Sequence, residues 1–173
     1  MKTTTFAERV LKVNHSGENG AINIYAAQIM VARFTAPSLV AKLQEFKAHE
    51  QEHRSIFWSE LQIRGVRRCR SYVLCGAGGF ALGFITALFG LRAIAATTAA
   101  VERVVLGHLQ SQLRSLSGQD DAAAAAISKI VIEETLHLEQ SELHIDAGQF
   151  WPKLLMPIVA LSTESVIWLG MRL

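Results

Sequence analysis

The sequence predicts an all-α fold, a four-helix bundle with a long crossover between helices 2 and 3 and extra hydrophobic helices at its surface. Three observations predict it. Apolar residues recur at the helical period over four long stretches. Half of the residues are hydrophobic and 18% are charged, with a positive mean hydropathy, as expected for helices with apolar surface to spare. Two Glu-x-x-His pairs, Glu50/His53 and Glu134/His137, lie inside apolar stripes, and each has a glutamate 32 residues before it, Glu18 and Glu102. A chain of 173 residues suffices for one domain with one core, taken as residues 1–173.

Taken in order, Thr5-x-x-Glu8 is a capping box for a short opening helix through Val13. The two glycines and Ser16 of NHSGENGA then predict a bend or a helix start. From Glu18 onward, Ile22, Tyr25, Ile29 and Ala32 share its face, so this glutamate points to the core. The first long helix ends in the turn from Phe34 to Ser38, which contains Pro37. The second runs from about Leu39 to Ile63. Its inner stripe of Leu39, Leu43, Phe46, Phe57 and Leu61 also holds Glu50 and His53, while Glu45, Glu52 and Ser59 face solvent. A carboxylate ionised on such a stripe costs several kcal/mol unless it is paired or bound to a cation.

Arg64, Arg67, Arg68 and Arg70 precede an uncharged run from Ser71 to Leu91. The run is nominally long enough to cross a bilayer, and its Gly79-x-x-x-Gly83 permits close helix contact. A single crossing here would separate Glu18, Glu50 and His53 from Glu134 and His137. The run is therefore expected to lie in the membrane interface with the arginines toward anionic head groups; an ordinary core crossover is the alternative.

The third helix carries Ala95, Thr98, Glu102, Val105, Leu109, Leu113 and Leu116 on one face and ends near Ser117-Gly118. Gly118 is midway between Glu102 and Glu134. In an antiparallel hairpin, residues equidistant from the turn share a level, here about 24 Å away at the helical rise. The repeated spacing thus has a geometric cause. Helix 4 follows Gln119-Asp120-Asp121, whose acids suit a helix start, and turns Ile127, Ile130, Glu134 and His137 inward. The tail, after Pro152 and Pro157, is another apolar helix, and its Glu164 has a surface or packing role.

Four glutamates and two histidines form a ligand set for two metal ions. One glutamate on each of two helices and Glu-x-x-His on each of the other two is the pattern of ferritin-like di-iron or di-manganese bundles. Carboxylates with one imidazole per ion suit Fe(II) or Mn(II) better than zinc, and four carboxylates cancel the charge of two divalent ions. The net charge of +2 without a long basic face excludes nucleic acid as a partner. Cys69 and Cys75 match no zinc or redox motif and read as free thiols. With no apolar leader in MKTTTFAERV, the expected compartment is reducing and cytoplasmic.

NHSGENGAINIYAAQ, AHEQEH, GFALGFITALFGLRAIAATTAAVE, IEETLH and ESVIWLGMRL resemble the demethoxyubiquinone hydroxylase family of ubiquinone biosynthesis over nearly the whole chain. The resemblance implies that Glu18, Glu50, His53, Glu102, Glu134 and His137 bind two iron ions. It implies O2-dependent hydroxylation of a polyprenylated methoxybenzoquinone or quinol ring, demethoxyubiquinone to demethylubiquinone, by a protein held peripherally on the cytoplasmic face of the inner membrane. The chain departs from the family at Asn19, where an aromatic is usual, at Leu109, where a tyrosine is usual, and in the arginine-rich GVRRCR link, which replaces one containing proline. These departures bear on substrate fit and gating.

No Gly-x-Gly-x-x-Gly follows a strand, so electrons are expected from outside, from NADH or from a partner reductase; a biosynthetic complex and a homo-oligomer are further expected partners. Tyr25, two turns from Glu18, is a candidate to hydrogen-bond near the metals or to gate electrons, beside the alternative of a core tyrosine. His49 and His144 could also stand beside the ligands, but packing or solvent exposure is the favoured reading for both. His15 and His108 stay open between that and a place beside the ligands. The competing function is a ferritin-like iron oxidase or peroxide scavenger, which would need neither Ser71 to Leu91 nor the apolar tail. A membrane-surface scaffold with a structural metal is a third.

Overall fold

Local chemistry sets where each helix begins and ends in this computed structural model, which describes residues 4–146 and 148–173. Helix α1 spans Phe6–Thr35 and opens on the expected capping box: Thr5 Oγ1 accepts from the Glu8 amide at 3.2 Å, and the Glu8 carboxylate accepts from the Thr5 amide at 2.8 Å. A 3₁₀ turn at Pro37–Leu39 leads into α2, Val40–Ile63. Helix α3 is Tyr72–Ala87 and α4 is Leu91–Leu116, separated by Gly90 at φ +80°. The turn to α5, Asp121–Glu142, uses Gly118 at φ +73°, a left-handed conformation that glycine adopts without strain. Asp120 caps α5 by accepting from the Ala123 amide, and Arg64 at the end of α2 grips the same carboxylate at 2.5 and 2.8 Å. Helix α6 spans Phe150–Gly170. Among the described residues there is no strand.

Two antiparallel hairpins, α1–α2 and α4–α5, make the bundle. Helix α3 packs along α1, and α6 packs along α4. Their pattern explains the placement. At Gly79 and Gly83 an added Cβ would stand 2.3 Å from the carbonyl oxygens of Gly20 and Ile24, so α3 lies backbone to backbone on α1. Both helices leave apolar side chains outward, including Val73, Leu74 and Ile85 on α3 and Leu161 and Trp168 on α6. By length and composition α6 is the one described helix that could cross a membrane. Yet it lies against α4.

Two expectations need correction. The bend or helix start at NHSGENGA is absent: α1 continues through it. Its glycines serve packing and cavity space, since a Cβ added at Gly20 would stand 3.4 Å from the Cys75 carbonyl oxygen of α3 and Gly17 has open space at its Cβ position. The crossover helix is also shorter than the Ser71 to Leu91 run, because Gly90 breaks it from α4. At 16 residues it falls short of a bilayer.

Candidate metal centre

Hairpin register brings the six predicted side chains together at mid-bundle. Glu18 comes from α1, Glu50 and His53 from α2, Glu102 from α4, and Glu134 and His137 from α5, all buried. One atom each of Glu18, Glu50, His53 and Glu134 lies within 4.8 Å of the others, and so does one atom each of Glu50, Glu102, Glu134 and His137. Glu50 and Glu134 belong to both groups.

The imidazoles face this space through Nδ1. His53 Nδ1 lies 3.1 Å from Glu134 Oε1 and 3.7 Å from Glu50 Oε2, and His137 Nδ1 lies 3.3 Å from Glu50 Oε1 and 3.7 Å from Glu134 Oε2. These contacts are close but not directed as hydrogen bonds: both Nδ1 atoms, Glu50 Oε1 and both Glu134 oxygens lack hydrogen-bond partners while fully buried. Unsatisfied polar atoms at such depth are costly. Their convergence fits a pair of cations.

Proton affinities give the same answer. Burial and the neighbouring Glu50 charge push the Glu18 carboxyl well above its ordinary range, and burial with Glu134 and Glu50 does so for Glu102. Burial would also raise Glu50 and Glu134, but the close His137 and His53 imidazoles hold both below the usual value. His53 rises to about 12 and His137 to about 9, because Glu134 and Glu50 outweigh the burial that would lower them. With protons on Glu18, Glu102, His53 and His137 the cage is neutral. Two divalent ions in place of those four protons leave it neutral again, so the donor set matches that load.

Tyr25, also buried, donates to Glu102 Oε1 at 2.5 Å; burial and then the Glu102 charge raise its phenol well above the ordinary value, so it stays a donor. Glu133, which the sequence reading did not place, and His49 complete the surroundings. Glu133 Oε2 meets His53 Nε2 at 2.8 Å, and His49 Nδ1 meets His137 Nε2 at 3.0 Å. His49 is thus half-exposed, as expected of a surface residue, and also in contact with the cage. No periodicity argument finds Glu133, since its partner lies 80 residues away on α2. Glu164 pairs with His108 at 2.8 Å, joining α6 to α4, and His144 lies beside a small cavity near Phe46.

A cavity of about 430 Å³ lies over the carboxylates, walled by α1, α3, α4 and α6. Its lining is mostly apolar, with Val13, Ile24, Leu82, Val101, Val105 and Ile158 among the walls, and Glu18, Glu50, Glu102 and Glu134 are exposed to it. Asn14 and His108 add polar groups. Such a volume is typical of small-molecule sites.

The departures at Asn19 and Leu109 have structural accounts. Asn19 donates to the Tyr72 carbonyl at 2.9 Å and accepts from Arg54 at 3.2 Å, fixing the start of α3. Leu109 is a fully buried core residue beside Leu11, Phe57 and Ile130.

The family model for ubiquinone biosynthesis protein COQ7 matches residues 5–170. The chain belongs to the COQ7 family. Among curated relatives, a Dictyostelium discoideum protein named NADPH-dependent 3-demethoxyubiquinone 3-hydroxylase, mitochondrial, is 32% identical over 95% of this chain and 76% of its own length. The Variovorax paradoxus 3-demethoxyubiquinol 3-hydroxylase is 35% identical over 82% of this chain and 66% of its own length. The Saccharomyces cerevisiae 5-demethoxyubiquinone hydroxylase, mitochondrial, is 41% identical over 66% of this chain, which spans about half of it, 49%.

Proposed function

We propose that this protein hydroxylates the ring of a polyprenylated demethoxybenzoquinol with O2, using two iron ions held by Glu18, Glu50, His53, Glu102, Glu134 and His137. The observation that carries the reading is the apolar cavity that ends on four buried glutamates. It favours hydroxylation over a ferritin-like iron oxidase, which has no use for an apolar chamber of this size above the metals.

In this reading Glu50 and Glu134, which belong to both groups, would help hold both ions. Glu18 with His53, and Glu102 with His137, would each complete the donors for one of them. Bound there, the iron pair supplies the activation of O2. The ring enters between α3 and α6, whose outer apolar faces lie peripherally on the membrane and offer the isoprenoid tail a continuous path. The walls would exclude water from the ring edge nearest the carboxylates, and Asn14 and His108, which line the cavity and bond to Gln112 and Glu164, would offer their remaining polar atoms to the ring oxygens. Overall one ring C–H becomes C–OH and the second oxygen atom leaves as water; two electrons come from an external reductant, NADH, NADPH or a partner reductase, and two protons are taken up, from the reductant and from solvent.

The test is a single-turnover assay of the iron-loaded full chain with O2, reductant and a short-tailed demethoxyquinol, followed by mass spectrometry. A product one oxygen heavier is expected. Iron oxidation without a hydroxylated ring sinks the proposal and favours the iron-oxidase reading. Floating the protein with liposomes tests its membrane part separately.

A further inference from the structure

The two halves of the cage are alike in their inner donors and differ in what stands behind them. His53 Nε2 meets a carboxylate, Glu133 Oε2, at 2.8 Å, whereas His137 Nε2 meets another imidazole, His49 Nδ1, at 3.0 Å. For either histidine to offer its Nδ1 lone pair to a cation, its proton must sit on Nε2. His53 then donates to an anion, and His137 donates to a neutral ring whose Nδ1 must accept. A carboxylate behind a ligating imidazole makes it a stronger donor than a neutral acceptor does.

The terminal glutamates differ in the same sense. Glu102 Oε1 accepts the buried Tyr25 hydroxyl at 2.5 Å. A carboxylate oxygen engaged in so short a hydrogen bond has less electron density to give a metal. Glu18 has no such phenol: Tyr25, which lies two turns along its own helix, bonds across to α4 instead. Both differences therefore favour the same half.

We infer that the two metal positions are unequal by construction, the one served by Glu18 and His53 filling first and binding tighter, the one served by Glu102 and His137 filling second. Glu133 is a positioning residue for the first, and His49 and Tyr25 tune the second. The inference rests on the two-ion reading of the cage and deepens it.

Mn(II) added to the metal-free full chain is the probe, followed by electron paramagnetic resonance. An isolated bound Mn(II) gives a six-line spectrum, whereas two ions about 3.5–4 Å apart, the usual spacing of paired sites, are spin-coupled. The isolated bound signal is expected to grow to roughly one ion per chain before the coupled signal replaces it, the two steps differing in affinity by about tenfold or more. Glu133→Gln keeps the shape and removes the charge; it should weaken the first step by about 10–100-fold and merge the two. Tyr25→Phe should tighten the second step and His49→Gln weaken only that step, with a thermal melt of each variant confirming that it folds. A coupled signal from the first addition in the unmodified protein overturns the inference while leaving the two-ion cage standing, as does a first step unmoved by Glu133→Gln. Failure to bind a second Mn(II) at any concentration overturns the cage and the inference together.

Discussion

Neighbouring glycines on α3 should respond in opposite ways to the same methyl group. A Cβ at Gly79 would stand 2.3 Å from the Gly20 carbonyl oxygen and 3.1 Å from its Cα, all of it backbone that no rotamer change can move. Restoring an ordinary contact of about 3.4 Å requires α3 to retreat from α1 by about 1 Å; overpacking of this kind costs about 1–3 kcal/mol. At Gly78 nothing lies within 4 Å, because that position opens on the cavity. There the substitution recovers helix propensity, up to about 1 kcal/mol, and takes space from the cavity proposed to hold the substrate. For a chain of this size 1 kcal/mol moves the melting temperature by about 2–4 °C. Gly79→Ala should therefore melt at least about 2 °C lower and Gly78→Ala unchanged or slightly higher, read by circular dichroism. Gly78→Ala should in turn raise KM for the quinol at near-normal kcat. Equal destabilisation by the two substitutions would refute the backbone contact between α1 and α3, and with it the position of the cavity wall.

The remaining predictions concern charge. Loading the metal-free protein with two divalent ions at pH 7 should release protons from His53 and His137, and more from Glu18 and Glu102 as far as their raised carboxyls hold them, measured by calorimetry in buffers of different ionisation enthalpy; release near zero would contradict the protonated cage. Metal at about 100 times its Kd should stabilise the fold by about 2.7 kcal/mol, a melting shift that a chelator reverses. His15, buried between Trp58 and Tyr72, is held neutral to about pH 4 by burial and by Arg54 and Arg68. Its folded pKa is below the ordinary 6.5, so its contribution is present above pH 6.5 and is lost as pH falls toward 4, roughly 3 kcal/mol in all. His15→Phe keeps the stack and should flatten that part of the urea-midpoint profile; an unchanged slope would refute the assignment. Arg64→Met breaks the two-toothed grip on Asp120 that ties α2 to the start of α5 and should cost about 1 kcal/mol in urea unfolding, with no effect if water already screens the pair.

What the sequence revealed and what it hid divide along one physical line. Residues whose partners lie at the same level of a symmetric hairpin were legible, because helical rise and turn position fix that level: Gly118 sets it for Glu102 and Glu134, and the Pro37 turn sets it for Glu18 and Glu50. Inward orientation was equally legible, since a glutamate on a stripe of Ile22, Tyr25 and Ile29 has no solvent to face. Glu133 was not, because it sits off the stripe of α5 and acquires its meaning only from the distance between α2 and α5. The glycines of NHSGENGA misled for a related reason. Taken alone, Gly17 and Gly20 break a helix, as the local rule says. In the fold, α3 presses against one and a cavity opens over the other, and the helix holds because packing along its whole length outweighs a propensity loss of about 1 kcal/mol at each position. Local rules thus failed here at the segment where one wall of the cavity is built from bare backbone, and that wall is the physical reason for those glycines.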